Sequence, residues 1–492
     1  MKFPGFIHRL FGFNAKADSK SAVSAARTIN AQMIDAAAIT EETADYFRYA
    51  TNAGANEILD DVTRQRTLAR CRYEYMNDGY ACGAARNKMV HTIGRGAKVE
   101  LGSEEHHQDV EKRFAKWCRK ARFWKTLRLG VKMILADGGF ILRFVFDPHV
   151  KGSCLNVIEI DPNRLSTPMS MATDRNVFGG IRFDEYRHPV EYYVCRQPVN
   201  AWSFVSPEDY ETIPAGQIIH LFSKDLPEQL REFPQMQSVL RDLRSLRLYK
   251  YAVVDAAENA AAPGGILETK IPPDSEVPAD RIEMLKEFAI PRRAILAIQN
   301  GDYHQVKAEQ PTATHAEFVN AQLTGVGAGV GQPRNIIAHD SSGYNYSSGR
   351  LDHGTFFGFV DVDLDDIENE VLDEVFNAWI RCDACISAAS RKLLDEADGD
   401  PDEVGRQWLW TEPDALDRLK DAQAMKIGLD YGSETLEAIW ARKGYDWRER
   451  IAQRNLELKM LSGPPQKDEP DEPGGNEDPD KKDEEERDGK EV

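Results

Sequence analysis

The 492-residue sequence predicts a mixed α+β fold. Three observations carry that expectation: helical spacing from about Thr40 to Lys98, a block of short β-rich runs between Ala136 and Phe222, and one long helical pattern opening at Pro234. With 41% hydrophobic residues the chain can fill sizeable cores, and its length allows about two to four packed units.

The first segment, MKFPGFIHRLFGFNAK, begins like a signal peptide, but His8 and Arg9 interrupt its apolar run and no small-residue cleavage site follows. A short amphipathic arm over 1–39 is the expectation. Nowhere do ~18 uninterrupted apolar residues occur, so no membrane span is expected. Seven scattered cysteines, an odd number, fit free thiols in a reducing compartment.

The β-rich block contains GGFILRFVFD, CLNVIEID, VEYYVCR and QIIHLF, runs of β-branched and aromatic residues separated by Pro, Gly and Asp turns. Pro234 then opens PQMQSVLRDLRSLRLYKYAVVDAAENAAA, in which Met236, Val239, Leu240, Leu243 and Leu246 recur at helical spacing. A helix over 234–262 would be about 43 Å long. Arg241, Arg244, Arg247 and Lys250 form a slow basic stripe along it, either a solvated face or a channel-facing or subunit-bridging one.

A small module follows at 263–311, with strand-like GGILET and RAILAIQ flanking helix-like ADRIEMLKEFA. A second helix is expected over 312–327. The stretch GVGAGVGQPRNIIAHDSSGYNYSSGR reads as a loop at about 328–350, with Gly325, Gly327, Gly329 and Gly331 as its hinge. Beyond Arg350 a long helix, 351–400, places Leu364, Ile367, Val371, Leu372, Val375, Phe376 and Trp379 on one face. Residues 401–462 read as short helices, N-capped by Asp414, Ser433 and Asp446 and stopped by Gly428 and Gly444. Residues 463–492 carry 13 acidic and 5 basic side chains with almost nothing to bury, which predicts a disordered acidic tail.

The charge of −19 argues against tight electrostatic grip on nucleic acid, since that affinity comes from Lys and Arg displacing counterions. Catalytic and cofactor motifs fail on inspection. The alternating glycines do not match the dinucleotide fingerprint, and no G-x-x-x-x-G-K-[ST] occurs for ATP. DVDLDD and DGDPDE lack the glycine and glutamate of a calcium loop. Cys382 and Cys385 lack a second ligand pair, and His106 and His107 need no special role. Adjacent His339, Asp340 and Ser341 leave one enzyme alternative, a hydrolase or processing enzyme, although neighbours in sequence rarely converge as a triad. No cofactor and no metal are expected.

The order of segments resembles the lambda-type portal proteins of tailed bacteriophages. IPAGQIIHLF, followed by Gln229, Arg231 and the long helix, carries the resemblance, as does FVNAQLTGVGAGVGQPRNIIAHDSSGYNYSSGR with Asn345, Tyr346, Ser347, Ser348 and Arg350. ARNKMVHTIGRGAKVE, ADGGF, EIDPNRLSTP and GSETLEAIWARKGYDWRE follow in register, so that it spans about 60–460. Two positions depart from the pattern: Glu232 stands where the family usually has glycine, and Gly139 where it often has an acidic residue.

The resemblance implies a portal-like architecture: an α/β wing at 40–230, stem helices at 234–262 and 312–327, a small α/β clip at 263–311, a tunnel loop at 328–350, a long wing helix at 351–400 and a helical crown at 401–462. It implies a ring homo-oligomer, a dodecamer, at one capsid vertex, through which double-stranded DNA is packaged and ejected. The implied partners are the terminase large subunit, the major capsid or scaffold protein and a head-completion or tail adaptor protein. The implied location is the virion, after synthesis in the host bacterial cytoplasm. Arg334, His339, Asn345, Tyr346, Ser347, Ser348 and Arg350 would then face the DNA channel, the alternative being that NYSSGR only caps the next helix.

Overall fold

The structure, a computed structural model, describes residues 50–196, 209–261, 265–269, 301–305, 314–411 and 418–461. The arm at 1–39, the acidic tail, the cap Asp414 and most of 263–311, including RAILAIQ and ADRIEMLKEFA, lie outside them.

The expected N-terminal helical region comprises helices α1 (Ala55–Ile58), α2 (Asp61–Asn77) and α3 (Gly79–Thr92). Two aspartates divide it. Asp60 accepts a bond from the Thr63 amide, and Asp78 accepts from the Tyr80 and Ala81 amides, so each caps the helix that follows. Strand β1 (Lys98–Glu100) leads into α4 (Glu105–Lys120) and α5 (Phe123–Asp137). Gly138, at φ 91°, ends α5 where a Cβ would run into the Phe233 backbone.

All four β-rich runs form strands: β2 (Gly139–Phe146), β3 (Leu155–Ile160), β6 (Pro189–Cys195) and β8 (Ile218–Phe222), with the shorter β4 (Val177–Phe178), β5 (Ile181–Phe183) and β7 (Tyr210–Pro214) between them. β2 lies at the centre of an antiparallel sheet, β3-β2-β8, while β4 to β7 make an antiparallel meander. Helix α5 covers one face of the first sheet: Gly130 is there because a Cβ would sit 2.7 Å from the Phe140 ring.

The stem-like helix begins later than Pro234 suggests. Residues Gln235–Val239 form a tight 3-10 segment, with the Gln237 amide bonded to the Pro234 carbonyl, before α6 (Leu240–Ala261). Met236, Val239, Leu243 and Leu246 are buried as their spacing predicts, against Leu323, Val326 and Ile337. Strands β9 (Gly265–Thr269) and β10 (Gly301–Gln305) pair antiparallel; GGILET is thus a strand, and its partner begins just after the run expected to provide it.

Four further expectations need correction. The second long helix, α7 (His315–Val330), continues past 327, and the expected loop contains α8 (Arg334–Ala338) and the start of α9 (Tyr346–Ile367). The expected 351–400 helix is α9, a π-turn at Glu368–Leu372, α10 (Asp373–Ala384) and a separate α11 (Ala388–Glu396) started by the Ser387 cap. The C-terminal region opens with strand β11 (Gln407–Leu409), which pairs with β1, before α12 (Arg418–Tyr431), α13 (Leu436–Arg442) and α14 (Trp447–Leu461). Gly428 lies inside α12, and Thr435 rather than Ser433 caps α13, whereas Asp446 and Gly444 act as expected.

The largest core joins distant sequence. Phe114 and Trp117 from α4 and Phe123 from α5 pack against Phe376 and Trp379 from α10 and against Trp408 from β11. Ile367, Val371, Leu372 and Val375 complete it, so the apolar face read from the sequence is buried almost whole. All seven cysteines are free, and among the described residues no helix is long and apolar enough to cross a membrane.

Candidate functional site

The glycine run is built for close approach, not for hinging. A Cβ at Gly329 would strike the Val239 side chain, and one at Gly327 would strike the Gln332 carbonyl. Both glycines lie within α7, where Gly329 lets it rest directly on the root of α6 and Gly327 lets the chain after α7 fold back onto it. Only Gly331 uses the left-handed region, at φ 68°, ending α7 as its amide reaches back to the Gly327 carbonyl. Gly325 faces open space.

The chain after Gly331 is bolted down. Gln332 donates to the Ala84 carbonyl at 2.8 Å, and Asn87 donates to the Ile336 carbonyl at 2.8 Å, both buried bonds to α3. Lys88 of α3 holds Asp363 of α9 at 2.6 Å. Arg334 bonds Asn320 of α7 at 2.9 Å and lies over the Tyr344 ring, which fixes the turn leading to α9. Of the expected loop only 331–333 and 339–345 remain irregular.

His339, at φ 51°, closes α8 and is exposed. Asn345 caps α9: its side chain accepts from the Ser348 amide at 2.8 Å while the Ser348 hydroxyl takes the Asn345 amide, a reciprocal capping box. Tyr346, Ser347 and Arg350 lie in the first turns of α9, with Ser347 and Arg350 exposed. The Asp340 carboxylate turns onto the Ser342 amide at 2.8 Å, and the Ser342 side chain together with that amide lowers its pKa. Among the described residues no hydrogen bond joins His339, Asp340 and Ser341, so the three do not form a triad.

The basic stripe divides into two halves. Arg247 donates to Glu74 of α2 at 2.7 Å and stacks 5.3 Å from the Tyr73 ring, and Lys250 sits 4.6 Å from the Tyr80 ring. Arg241 and Arg244 are exposed and have no ion-pair partner among the described residues. Together with Arg70 of α2 they line a groove of about 930 Å³ between α2 and α6. Four arginines face one glutamate there, a local excess of positive charge on an acidic chain. Sequence reading found the α6 half and missed Arg70, Tyr73 and Glu74. Their signal was the i, i+3, i+4 spacing on α2.

A buried charge cluster lies in the chain just before Pro234. Glu232 receives Arg64 of α2 at 2.9 Å, Arg231 at 2.7 Å and His220 of β8 at 3.0 Å. Arg231 also donates to the Gly179 and Pro162 carbonyls. Burial by itself would raise the Glu232 pKa, but the two guanidiniums and the His220 bond hold it well below the usual carboxylate range. Burial pushes His220 down, so it donates as a neutral imidazole. Nearby, Arg72 forks onto Asp137 and Asp161, tying α2 to the end of α5 and to the turn after β3. Arg231 was quoted in the sequence resemblance; its buried partners were not legible there.

Comparison with known proteins joins these observations. The family model for the phage portal protein, lambda family, matches residues 42–361. A probable portal protein of Halomonas phage phiHAP-1 is 23% identical over 429 residues, covering 80% of this chain and 80% of that relative. The portal protein B of Escherichia phage lambda is 21% identical over 455 residues, covering 81% and 84%. Among solved structures, the neck of an empty gene transfer agent particle aligns at a TM-score of 0.43 and 12% identity, over 74% of this chain and 89% of that one. Portal proteins are structural rather than catalytic, and with that the hydrolase alternative at His339, Asp340 and Ser341 falls. The protein belongs to the lambda family of phage portal proteins.

Proposed function

We propose that copies of this chain close into a ring, a dodecamer, at one capsid vertex of a tailed phage. The ring is the channel for double-stranded DNA during packaging and ejection, the dock for the terminase large subunit and the join between head and tail through a head-completion or tail adaptor protein. Major capsid or scaffold protein surrounds it in the virion, after synthesis in the host cytoplasm. The single observation that carries this reading is family membership over 42–361.

The geometry supports a chain that needs neighbours. Helix α6 exposes Leu248, Tyr251 and Val254, and α9 exposes Leu351, Phe359 and Val362, with Leu351 at 73% and Val362 at 63%. Rows of bare apolar side chains on long helices suit burial against the next copy, by a head-to-tail contact that closes as a ring. In this reading residues 50–230 are the wing, 234–261 and 315–330 the stem helices, the β9–β10 hairpin part of the clip, and α12 to α14 the crown. Arg241 and Arg244, with His339, Ser347 and Arg350, are the exposed groups available to DNA phosphates. Arg334, Asn345 and Ser348 shape the turn that carries them, and Arg247 and Lys250 brace α6 against α2 and α3.

The test is the mass and shape of the purified protein. Negative-stain images and native mass measurement are expected to give rings of uniform subunit number. Monomers persisting at high concentration with scaffold protein present would overturn the proposal.

A further inference from the structure

Two histidines and two glutamates meet where the start of α4 faces the end of α11, a place the portal reading leaves without a task. His106 Nε2 lies 2.9 Å from Glu396 Oε2, and His107 Nε2 lies 3.6 Å from the same oxygen. The Glu104 carboxylate reaches His106 Nδ1 at 3.3 Å. Glu104 stands at the N-cap position of α4 yet makes no side-chain cap bond, so its oxygens are free to turn toward the imidazoles.

Ligand atoms from Glu104, His106 and His107 all come within 4.8 Å of one another. The two rings sit 4.3 Å apart between centroids. Donor atoms around a tetrahedral zinc-like ion with ~2.0 Å bonds are separated by about 3.3 Å. The 3.3 Å between Glu104 and His106 Nδ1 matches that value, and since an imidazole gives one ion one nitrogen, Nδ1 is the donor on that side; Glu396 reaches the same side through Oε1, 3.5 Å from the Lys392 ammonium.

A second observation points to a missing ligand. Both ring nitrogens of His107 are buried and neither makes a hydrogen bond, Nε2 having only the Glu396 carboxylate at 3.6 Å. Buried polar atoms are ordinarily satisfied, and the desolvation of an unsatisfied one is not recovered. Space for this ring is kept open by Gly102, at φ 148°, where a Cβ would stand 2.6 Å from His107 Nδ1. Meanwhile a cation already visits the cluster. Lys392 Nζ lies 3.2 Å from His106 Nδ1, 3.5 Å from Glu396 and 3.8 Å from Glu104, on a side chain that is 57% exposed.

We propose that Glu104, His106, His107 and Glu396 bind a first-row divalent cation of the zinc class, displacing the Lys392 ammonium and clamping the start of α4 to the end of α11. Mixed imidazole and carboxylate donors select such an ion over calcium or magnesium, which take oxygen ligands. Two carboxylates neutralise its charge. The clamp would fasten helices that contribute Val110, Phe114 and Leu393 to the main core.

The experiment uses the full chain in its assembled state, stripped with chelator and titrated with Co²⁺ and with Zn²⁺. The expected result is one saturable ion per chain, with the visible absorption of tetrahedral cobalt. Glu396→Gln and His107→Gln should each weaken binding at least about tenfold. Lys392→Gln removes the competing ammonium without touching a ligand and should tighten binding several-fold. Absence of saturable binding by the unaltered protein overturns the proposal, as does unchanged affinity in the two ligand variants. Should those variants fail to fold, Lys392→Gln still decides: unchanged or weaker affinity counts against the site. None of these readouts depends on ring formation or DNA passage.

Discussion

Burying a carboxylate costs several kcal/mol unless opposite charges and donors surround it, and Glu232 has two guanidiniums and an imidazole within 3.0 Å. Glu232→Gln leaves buried Arg231 without its ion-pair partner and Arg64 with only Asp61 at 3.6 Å, so the expected loss is about 3–5 kcal/mol, read by denaturant unfolding. Acid acts on the same cluster in two waves. Both His220 and Glu232 titrate lower in the folded chain than their ordinary 6.5 and 4.5, so the unfolded state binds more protons and stability falls with pH. The first loss should begin below about pH 6.5, as His220 is forced to charge, and the second below about 4.5. His220→Gln should flatten the first wave and leave the second. Sequence reading identified the two departures here, Gly139 and Glu232, without knowing that they meet. A Cβ on Gly139 would stand 3.3 Å from the Glu232 Cβ, so glycine and acid have exchanged sides of one junction. The contact was invisible because 93 positions of chain separate the two residues.

At the scale of the element, the glycines of α7 separate two uses of the same residue. Gly325→Ala meets nothing within 4 Å and should stabilise the helix by about 0.5–1 kcal/mol through propensity alone. Gly329→Ala meets the Val239 side chain and Gly327→Ala a rigid carbonyl, so these should cost about 1–3 kcal/mol, the latter more. Thermal unfolding of the three variants checks the order. A hinge would instead make all three alike. The helix period of α6 and of the Ile367 to Trp379 face was legible, because burial selects apolar residues at regular spacing. The helical state of 328–330 was not: glycine's low propensity argued for a loop, and packing on the root of α6 overrode it. In the NYSS segment Asn345 and Ser348 satisfy each other's backbone amides and so start α9.

For the whole molecule, the failed nucleotide and triad motifs pointed away from an enzyme, in keeping with the portal family, while the arrangement of the cores was beyond the sequence. The main core draws on α4, α5, α10 and β11, and nothing local announces that Trp408 will sit 5.9 Å from Phe114. Short β11 was missed because three residues carry no period of their own. Its pairing with β1 joins positions roughly 300 residues apart, and non-local pairing of this kind slows folding. Refolding from denaturant, followed by tryptophan fluorescence, should therefore show a slow phase, and Val99→Asp, placed opposite Trp408, should lengthen it.

That β1–β11 ladder also sets a schedule for synthesis. While the polypeptide is being made, Val99 and the aromatic floor beneath it stay uncovered until Leu409 has left the ribosome. A product that ends before Gln407 is expected to keep that seam open, and limited proteolysis of such a fragment beside the full chain checks it.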